Sequence, residues 1–359
     1  MSMNAAPSMT PSTPYFEAEG PSNVTLNARI LLSLILIALV CLFTDVLVGT
    51  RGIDVGTDTY VYAGFFESLK GGGYETRFEP GFLLLANVLS FIGFNVEGYQ
   101  MALFGILLLT GIIAARHYYA YLGGGNGVLT FIIASLMFLL LSPMFVNASI
   151  NAVRQGLSAL LIFTALLAFQ QRRWGTFLIY GVLATSFHYS AVMYLVFAPL
   201  LLFNLKFLRL VALVAFTAYC AGLTMIVVRA VSPMIYNTVM DYSLAAKYKS
   251  GVRIDFAVFS IFWYLLPFMV AAMVRKPFDS RLKDSTAVYL VMLLPFFIVG
   301  WGNFSNRYLL PAYLAISLMV AAVFCHNRLS IFRNPILLRG GLIVSCAVFF
   351  YYVTNQVIV

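Results

Sequence analysis

Polar residues lead directly into a long apolar run in the segment NASINAVRQGLSALLIF, residues 147–163. Arg154 is the residue of this segment that is least favourable in a membrane, because placing an arginine at the membrane centre costs about 2.5–3.5 kcal/mol of free energy on insertion scales. If residues 147–158 are helical, spacings of three and four residues place one polar stripe on an apolar helix: Asn147, Asn151, Arg154 and Ser158. Such a stripe faces protein or water. We therefore expect Arg154 to meet an anion or a carboxylate, with Gln155 and Asn151 beside it.

Other basic residues stand at the ends of apolar runs. They are Arg51, His188, Arg253 and Arg307, and with Arg154 they form a ring of cations if these ends share one side of a membrane. Arginine binds phosphates and carboxylates through paired hydrogen bonds, so such a ring suits an anionic substrate. A structural salt bridge from Arg154 to Asp58 or Glu79 is the alternative.

His188 stands among apolar residues in TSFHYSAV, residues 185–192. A lone histidine there is often a buried structural residue, but histidine is also the commonest general base. Asp58 in DVGTDTYVY and Glu79 in EPGF are competing bases, or simply a loop cap and a helix start. Because the spacing of His, Asp and Glu does not favour a metal site, we predict neither a metal nor a cofactor.

The composition is that of a membrane protein. Hydrophobic residues make up 62% of the 359 and charged residues 10%, against about 45–50% and 25% in soluble chains. Continuous apolar runs, rather than alternating ones, predict an all-α polytopic membrane protein. Eleven segments are predicted to cross the membrane: 30–49, 99–116, 127–145, 152–170, 175–187, 189–204, 208–228, 255–274, 285–301, 308–324 and 336–354.

The basic residues predict the orientation of these spans. Five clusters hold 12 of the 22 Lys and Arg residues but only two of the 13 acidic residues: 115–119, 171–174, 206–209, 275–284 and 328–339. Such clusters collect on the cytoplasmic side. All five share that side if segment 80–96 is a re-entrant or interfacial helix rather than a span.

This orientation divides the chain into three parts. Residues 1–29 are rich in Ser and Pro, and we expect a disordered cytoplasmic tail. Residues 30–359 form a single transmembrane domain, within which 50–79 is an extracytoplasmic loop. The positive charge follows from membrane orientation, so it does not indicate a nucleic-acid partner.

Five motifs, in this order, resemble the EpsG family of bacterial exopolysaccharide polymerases, which are related in role to Wzy. They are RGIDVGTDTYVY (51–62), FEPGF (78–82), NAVRQGLSALL (151–161), ATSFHYSAV (184–192) and NRYLLPAY (306–313). The family has an R-x-x-x-G-T-D-Y-like loop, then E-P-G-[FY], an R-Q pair opening a helix, and [FL]-H-x-S-A. Here Thr59 stands between Asp58 and Tyr60, and a polar tail replaces a span that usually precedes the first loop.

The resemblance implies a metal-independent glycosyltransferase of the bacterial inner membrane, with a GT-C-like architecture possible. Such enzymes transfer a growing glycan from undecaprenyl or another polyprenyl diphosphate to a second lipid-linked repeat unit on the periplasmic side. The implied partners are these lipid-linked oligosaccharides, the bilayer, a chain-length regulator and a flippase. The implied site comprises diphosphate-binding Arg154, Arg51, Arg307 and Arg253, catalytic His188, Asp58 and Glu79, and supporting Tyr60, Gln155 and Asn151.

Two other functions fit a ring of cations less well. A flippase for lipid-linked glycans also needs cations, but it should carry them along a path to the cytoplasmic side. A membrane sugar O-acyltransferase needs a cytoplasmic constellation of His, Asp or Glu, which the sequence does not show.

Overall fold

The computed structural model describes residues 23–71, 78–244, 251–276, 278–302 and 304–357. Within these ranges the fold is all-helical, as predicted, and has no β-strand. The α-helices are α1 (Asn23–Gly49), α2 (Thr59–Lys70), α3 (Pro80–Phe91), α4 (Val96–Tyr121), α5 (Val128–Leu140), α6 (Pro143–Ile150), α7 (Val153–Gln170), α8 (Trp174–Phe187), α9 (Ala191–Leu195), α10 (Leu205–Cys220), α11 (Leu223–Val231), α12 (Pro233–Leu244), α13 (Ile254–Met269), α14 (Phe278–Val299), α15 (Leu310–Cys325) and α16 (Pro335–Thr354).

Seven helices in the described part of the chain are long and apolar enough to cross a membrane: α1, α4, α7, α13 with the turn that follows it, α14, α15 with the turn before it, and α16. Two further pairs of consecutive helices, α5 with α6 and α10 with α11, are long enough only if each bent pair is counted as one span. The bend between α5 and α6 is 79°, and that between α10 and α11 is 92°. The structure thus supports a polytopic membrane protein with seven to nine candidate spans.

The predicted number of eleven spans is not confirmed, for an identifiable reason. Apolar runs at 127–145 and 208–228 contain the two sharp bends, which hydropathy does not report. The runs at 175–187 and 189–204 form the short helices α8 and α9, the latter continued by a 3₁₀ turn. A helix of 14 residues such as α8 extends about 21 Å, less than the roughly 30 Å of a hydrocarbon core.

Burial separates an inner set of helices from an outer set. In the most apolar windows of α7, α14 and α15, 89%, 83% and 83% of residues are buried within the protein. The corresponding shares are 17% in α1, 22% in α13 and 33% in α16. A helix that is apolar all round is buried in protein or in lipid. The first three therefore form the core, and the last three form a surface of the kind that faces lipid.

The regions around the first loop are more ordered than the sequence predicts. Helix α1 begins at Asn23 rather than at residue 30, whereas residues 1–22 lie outside the described residues, where the disordered tail stays a prediction. The segment 50–79 contains α2, although residues 72–77 are not described. Helix α3 has 12 residues, about 18 Å, which is too short to cross a membrane.

Contacts between helix ends bring basic clusters together at one end of the bundle. Gln170 Nε2 donates to the carbonyl of Asp284 at 3.1 Å, which joins the end of α7 to the start of α14. The backbone N–H of Arg275 donates to the carbonyl of His326 at 2.9 Å, which joins the next cluster to the end of α15. The candidate site residues lie at the opposite ends of α7 and α15.

Candidate active site

The site is built around a break in the helix that carries Arg154. The helix assumed over 147–158 is interrupted, because α6 ends at Ile150 and α7 begins at Val153. The two segments pack closely: a Cβ on Gly156 would lie 2.8 Å from the carbonyl oxygen of Ala148. The break places Arg154 in the first turn of a buried helix, where its side chain reaches the surface of the core.

Asn151, in the break, anchors the loop that carries Asp58. Its Oδ1 accepts the backbone N–H of Thr57 at 2.6 Å, and its Nδ2 donates to Asn147 Oδ1 at 3.2 Å. Gly56 has φ +93°, and a Cβ there would lie 2.8 Å from the same Oδ1. Only glycine fits such a close approach in this conformation. Asn151 therefore holds the loop in place.

Glu79 joins Arg154 to His188. Its side chain is only 3% exposed, and its Oε2 accepts a hydrogen bond from Arg154 Nη1 at 2.5 Å. Its Oε1 bonds to His188 Nδ1 at 2.6 Å and accepts the backbone N–H of Tyr189 at 3.3 Å. Of the two carboxylates considered as structural partners of Arg154, Glu79 is the one that the structure pairs with it.

The local sequence explains the position of Glu79. It precedes α3, with Pro80 at the first helical position, where the missing N–H costs nothing. Gly81 then lets α3 approach α8, since a Cβ at that position would lie 2.4 Å from the Oγ of Ser186. Helix α8 ends with His188 in an extended conformation. The start of α3 and the end of α8 are thereby held side by side.

These bonds determine the charge of Glu79 and the tautomer of a neutral His188. Burial raises the pKa of Glu79, but the hydrogen bond from His188 and the charge of Arg154 outweigh burial and lower the pKa to about 2. Glu79 is thus a carboxylate at neutral pH and only accepts hydrogen bonds. The proton of a neutral His188 then lies on Nδ1, which leaves Nε2 as an acceptor.

A second ion pair lies beside the first. Arg307 Nη2 is 3.2 Å from Asp58 Oδ2, and the two side chains are 28% and 32% exposed. Gln155, which follows Arg154, donates its side-chain N–H to the carbonyl of Arg307 at 2.5 Å. The start of α7 is thereby tied to the start of the α15 region.

Arg154, His188 and Arg307 line one cavity, whose volume is about 330 Å³. Its lining comprises Arg154, Gln155, His188, Ser190, Met193, Thr238, Val239, Gly302, Phe304, Arg307 and Tyr308. Two arginines and a histidine therefore line one cavity, and the carboxylates that pair with them lie behind. Ser190, in the His188 motif, is a lining residue that was not among the predicted site residues. Its Oγ is buried and has no hydrogen-bond partner among the described residues.

One comparison with known proteins identifies the family. The EpsG family model matches residues 34–358, nearly the whole chain. The chain belongs to the EpsG family. No curated protein and no solved structure matches it. The resemblance inferred from the five motifs is confirmed, and EpsG membership suggests an exopolysaccharide polymerase.

Three residues expected in the site of this EpsG family member lie elsewhere. Arg51 donates to the carbonyl of Val48 at 2.5 Å and does not line the cavity. Burial lowers its pKa to about 10, so it is still charged at neutral pH. Arg253 pairs with Asp255 at 2.6 Å and likewise lies outside the cavity lining. Tyr60 is 64% exposed and does not line the cavity either.

In the described ranges, no group of three or more His, Cys, Asp or Glu residues is placed to hold a metal ion. Independence from metals stays a prediction. The arrangement offers instead two arginines for an anion, one histidine for proton transfer, and two carboxylates that fix them.

Proposed function

We propose that this protein joins polyprenyl-diphosphate-linked oligosaccharide repeat units into a polysaccharide on the periplasmic face of the inner membrane. The observation that carries the proposal is the contact of one buried carboxylate, Glu79, with both Arg154 and His188 at the wall of a cavity. Arg307 completes that wall. The placement of basic clusters at the opposite end of α7 supports a periplasmic site, because such clusters mark the cytoplasmic side.

His188 is the general base in this proposal. Glu79 holds Nδ1, so Nε2 faces the acceptor, an arrangement like the carboxylate–histidine pair of serine hydrolases. Glu79 is then a positioning residue, since both of its oxygens are occupied and its low pKa makes it a weak base. Asp58 is held by Arg307 and is the competing base.

The reaction forms one bond and breaks another. The acceptor hydroxyl oxygen attacks the anomeric carbon of the donor glycan, and its proton passes to Nε2 of His188. The bond from that carbon to the diphosphate oxygen breaks, and the electron pair leaves with polyprenyl diphosphate. Direct displacement inverts the anomeric configuration. Arg154 and Arg307 bind the phosphate oxygens, on which negative charge increases in the transition state.

The charge balance of the cavity suits this step. With His188 neutral, the two arginines and two carboxylates of the two ion pairs cancel. When His188 accepts the proton, the cavity gains a positive charge while the leaving group gains a negative one. Stabilisation that appears only as the reaction proceeds accelerates catalysis rather than tightening ground-state binding.

Chain length in cells tests this function. A host lacking the gene is complemented with wild type, His188→Gln or Asp58→Asn at matched protein levels, and the lipid-linked glycans are sized. We expect polymer with wild type, single periplasmic repeat units with His188→Gln, and residual polymer with Asp58→Asn. Repeat units that accumulate on the cytoplasmic side would show a transporter instead. Normal polymer with His188→Gln would refute its role as the base.

A further inference from the structure

An apolar groove begins where the cavity ends, on the outer side of α8. Its volume is about 400 Å³, and its lining includes Pro80 and Tyr189 at one end, Gly181, Val182 and Thr185 in the middle, and Phe177 at the other end. From Phe177 to the end of α8 the groove runs about 15 Å, since a helix rises 1.5 Å per residue. It therefore covers about half of a hydrocarbon core.

The segment of His188 and Tyr189 separates this groove from the cavity. The backbone at His188 is extended, with φ −157° and ψ 121°, and successive side chains of an extended segment point to opposite sides. His188 accordingly lines the cavity, and Tyr189 lines the groove. The bond from the N–H of Tyr189 to Glu79 fixes this partition. One molecule can thus place a polar part in the cavity and an apolar part in the groove.

The groove suits a hydrocarbon chain. Its lining contains no charged residue, and the hydroxyl of Ser186 is already bonded to the carbonyl of Leu183 at 2.8 Å. Leu178 and Val182 on its wall are 60% and 67% exposed on an apolar helix, as expected for a surface open to lipid. The cations Arg154 and Arg307 lie beyond the end of the groove that Pro80 and Tyr189 line. A ligand that matches both parts has a long hydrocarbon chain and a phosphate headgroup.

We propose that this groove holds the isoprenoid chain of the glycan donor, whose diphosphate passes over the His188–Tyr189 segment into the cavity. The inference rests on the proposed function. It assigns the donor rather than the acceptor, because the bond that breaks is next to the donor's diphosphate. The acceptor's lipid is separated from its reacting hydroxyl by a whole repeat unit, so its chain lies farther from His188.

Site-specific photocrosslinking tests the groove. A benzophenone amino acid is placed at Leu178, which lines the groove, or at Ile179, its neighbour outside the lining. The two positions are matched, being 60% and 61% exposed. The full-length protein in phospholipid vesicles is irradiated with tritiated undecaprenyl diphosphate. We expect several-fold more label at 178 than at 179, loss of that excess on adding unlabelled undecaprenyl diphosphate, and a smaller excess when Arg154→Ala is added.

The outcomes separate this inference from the proposed function. Equal labelling at 178 and 179, or labelling at 178 that excess phospholipid removes as readily, would show bilayer lipid only and overturn the groove. Polymer formation by the same unsubstituted protein is measured in parallel. If polymer forms but positions 178 and 179 are labelled equally, the proposed function holds and the groove is refuted. Specific labelling at 178 without polymer leaves a polyprenyl-diphosphate site and refutes the polymerase.

Discussion

Replacing Glu79 by glutamine tests the central contact of the site with almost no change in shape. The carboxylate accepts hydrogen bonds from Arg154, from His188 and from the backbone of Tyr189. An amide has one accepting oxygen and a nitrogen that only donates. In Glu79→Gln, Arg154 or His188 therefore faces an N–H₂ group, and the surviving bond is weaker because its acceptor is no longer charged.

The size of the effect follows from these bonds. A hydrogen bond to a charged group contributes about 1.5–3 kcal/mol, against about 1 kcal/mol for a neutral pair. Losing one such bond and weakening another amounts to about 3–4 kcal/mol, which corresponds to roughly 10²- to 10³-fold in rate if the geometry is needed only for the reaction. The carboxylate is 3% exposed, so water does not replace the lost partner.

The assay is polymer formation from purified lipid-linked repeat units in vesicles, with the amount of protein measured in each preparation. Asp255→Asn is the matched control, because it breaks another Arg–carboxylate pair, whose carboxylate is 60% exposed and lies outside the cavity. An exposed pair contributes about 0–1 kcal/mol, so this variant should polymerise normally. A Glu79→Gln protein that is folded and polymerises at the wild-type rate would refute the role assigned to this carboxylate.

Three further outcomes follow from the same structure. Because the pKa of Glu79 is lowered, its stabilising contribution is complete above the ordinary carboxyl pKa and is lost as pH falls towards about 2. The free energies of unfolding of wild type and Glu79→Gln should therefore differ by a constant amount at neutral pH, and this difference should shrink below about pH 4.5. Arg307→Ala should reduce polymerisation about 10²-fold by removing a phosphate ligand, whereas Arg253→Ala should have little effect, and the reverse order of rates would place the site elsewhere. Gly56→Ala should lower the thermal midpoint and activity together, since positive φ costs about 1–2 kcal/mol and the new Cβ meets Asn151; unchanged melting would contradict this reading of the loop.

The sequence predicted the class of fold because composition alone decides it. It did not predict the two bends, since hydropathy averages over residues and is blind to direction. At 142–143 only Ser142 and Pro143 interrupt the apolar run, too briefly to lower its average hydropathy, although the chain turns by 79° between α5 and α6. The prediction that 175–187 crosses the membrane is not confirmed for a similar reason, because an apolar run of 13 residues is compatible with several depths in a membrane.

The structure brings together some of the predicted site residues, whose roles stay predictions. Arg154, His188 and Arg307 line one cavity, as expected of residues at the ends of apolar runs. The partners of each residue did not follow from the sequence, because Glu79 and Arg154 are 75 positions apart. Arg51 stands next to the same polar loop in the sequence, yet its guanidinium bonds back to Val48 in its own helix end. Proximity along the chain does not show on which side of a loop a side chain lies.

Helix α12, which follows α11, gives the cavity a wall that is packed less deeply than the α7 wall. The α7 wall belongs to the buried core, whereas α11 follows a 92° bend and has no buried residue. Thr238 and Val239 of α12 nevertheless close one side of the cavity. Because α11 buries none of its residues, this segment should open at a lower free energy than the core. If the protein joins repeat units as proposed, each cycle must admit one glycan and release another, and the opening of this wall then limits the rate of turnover.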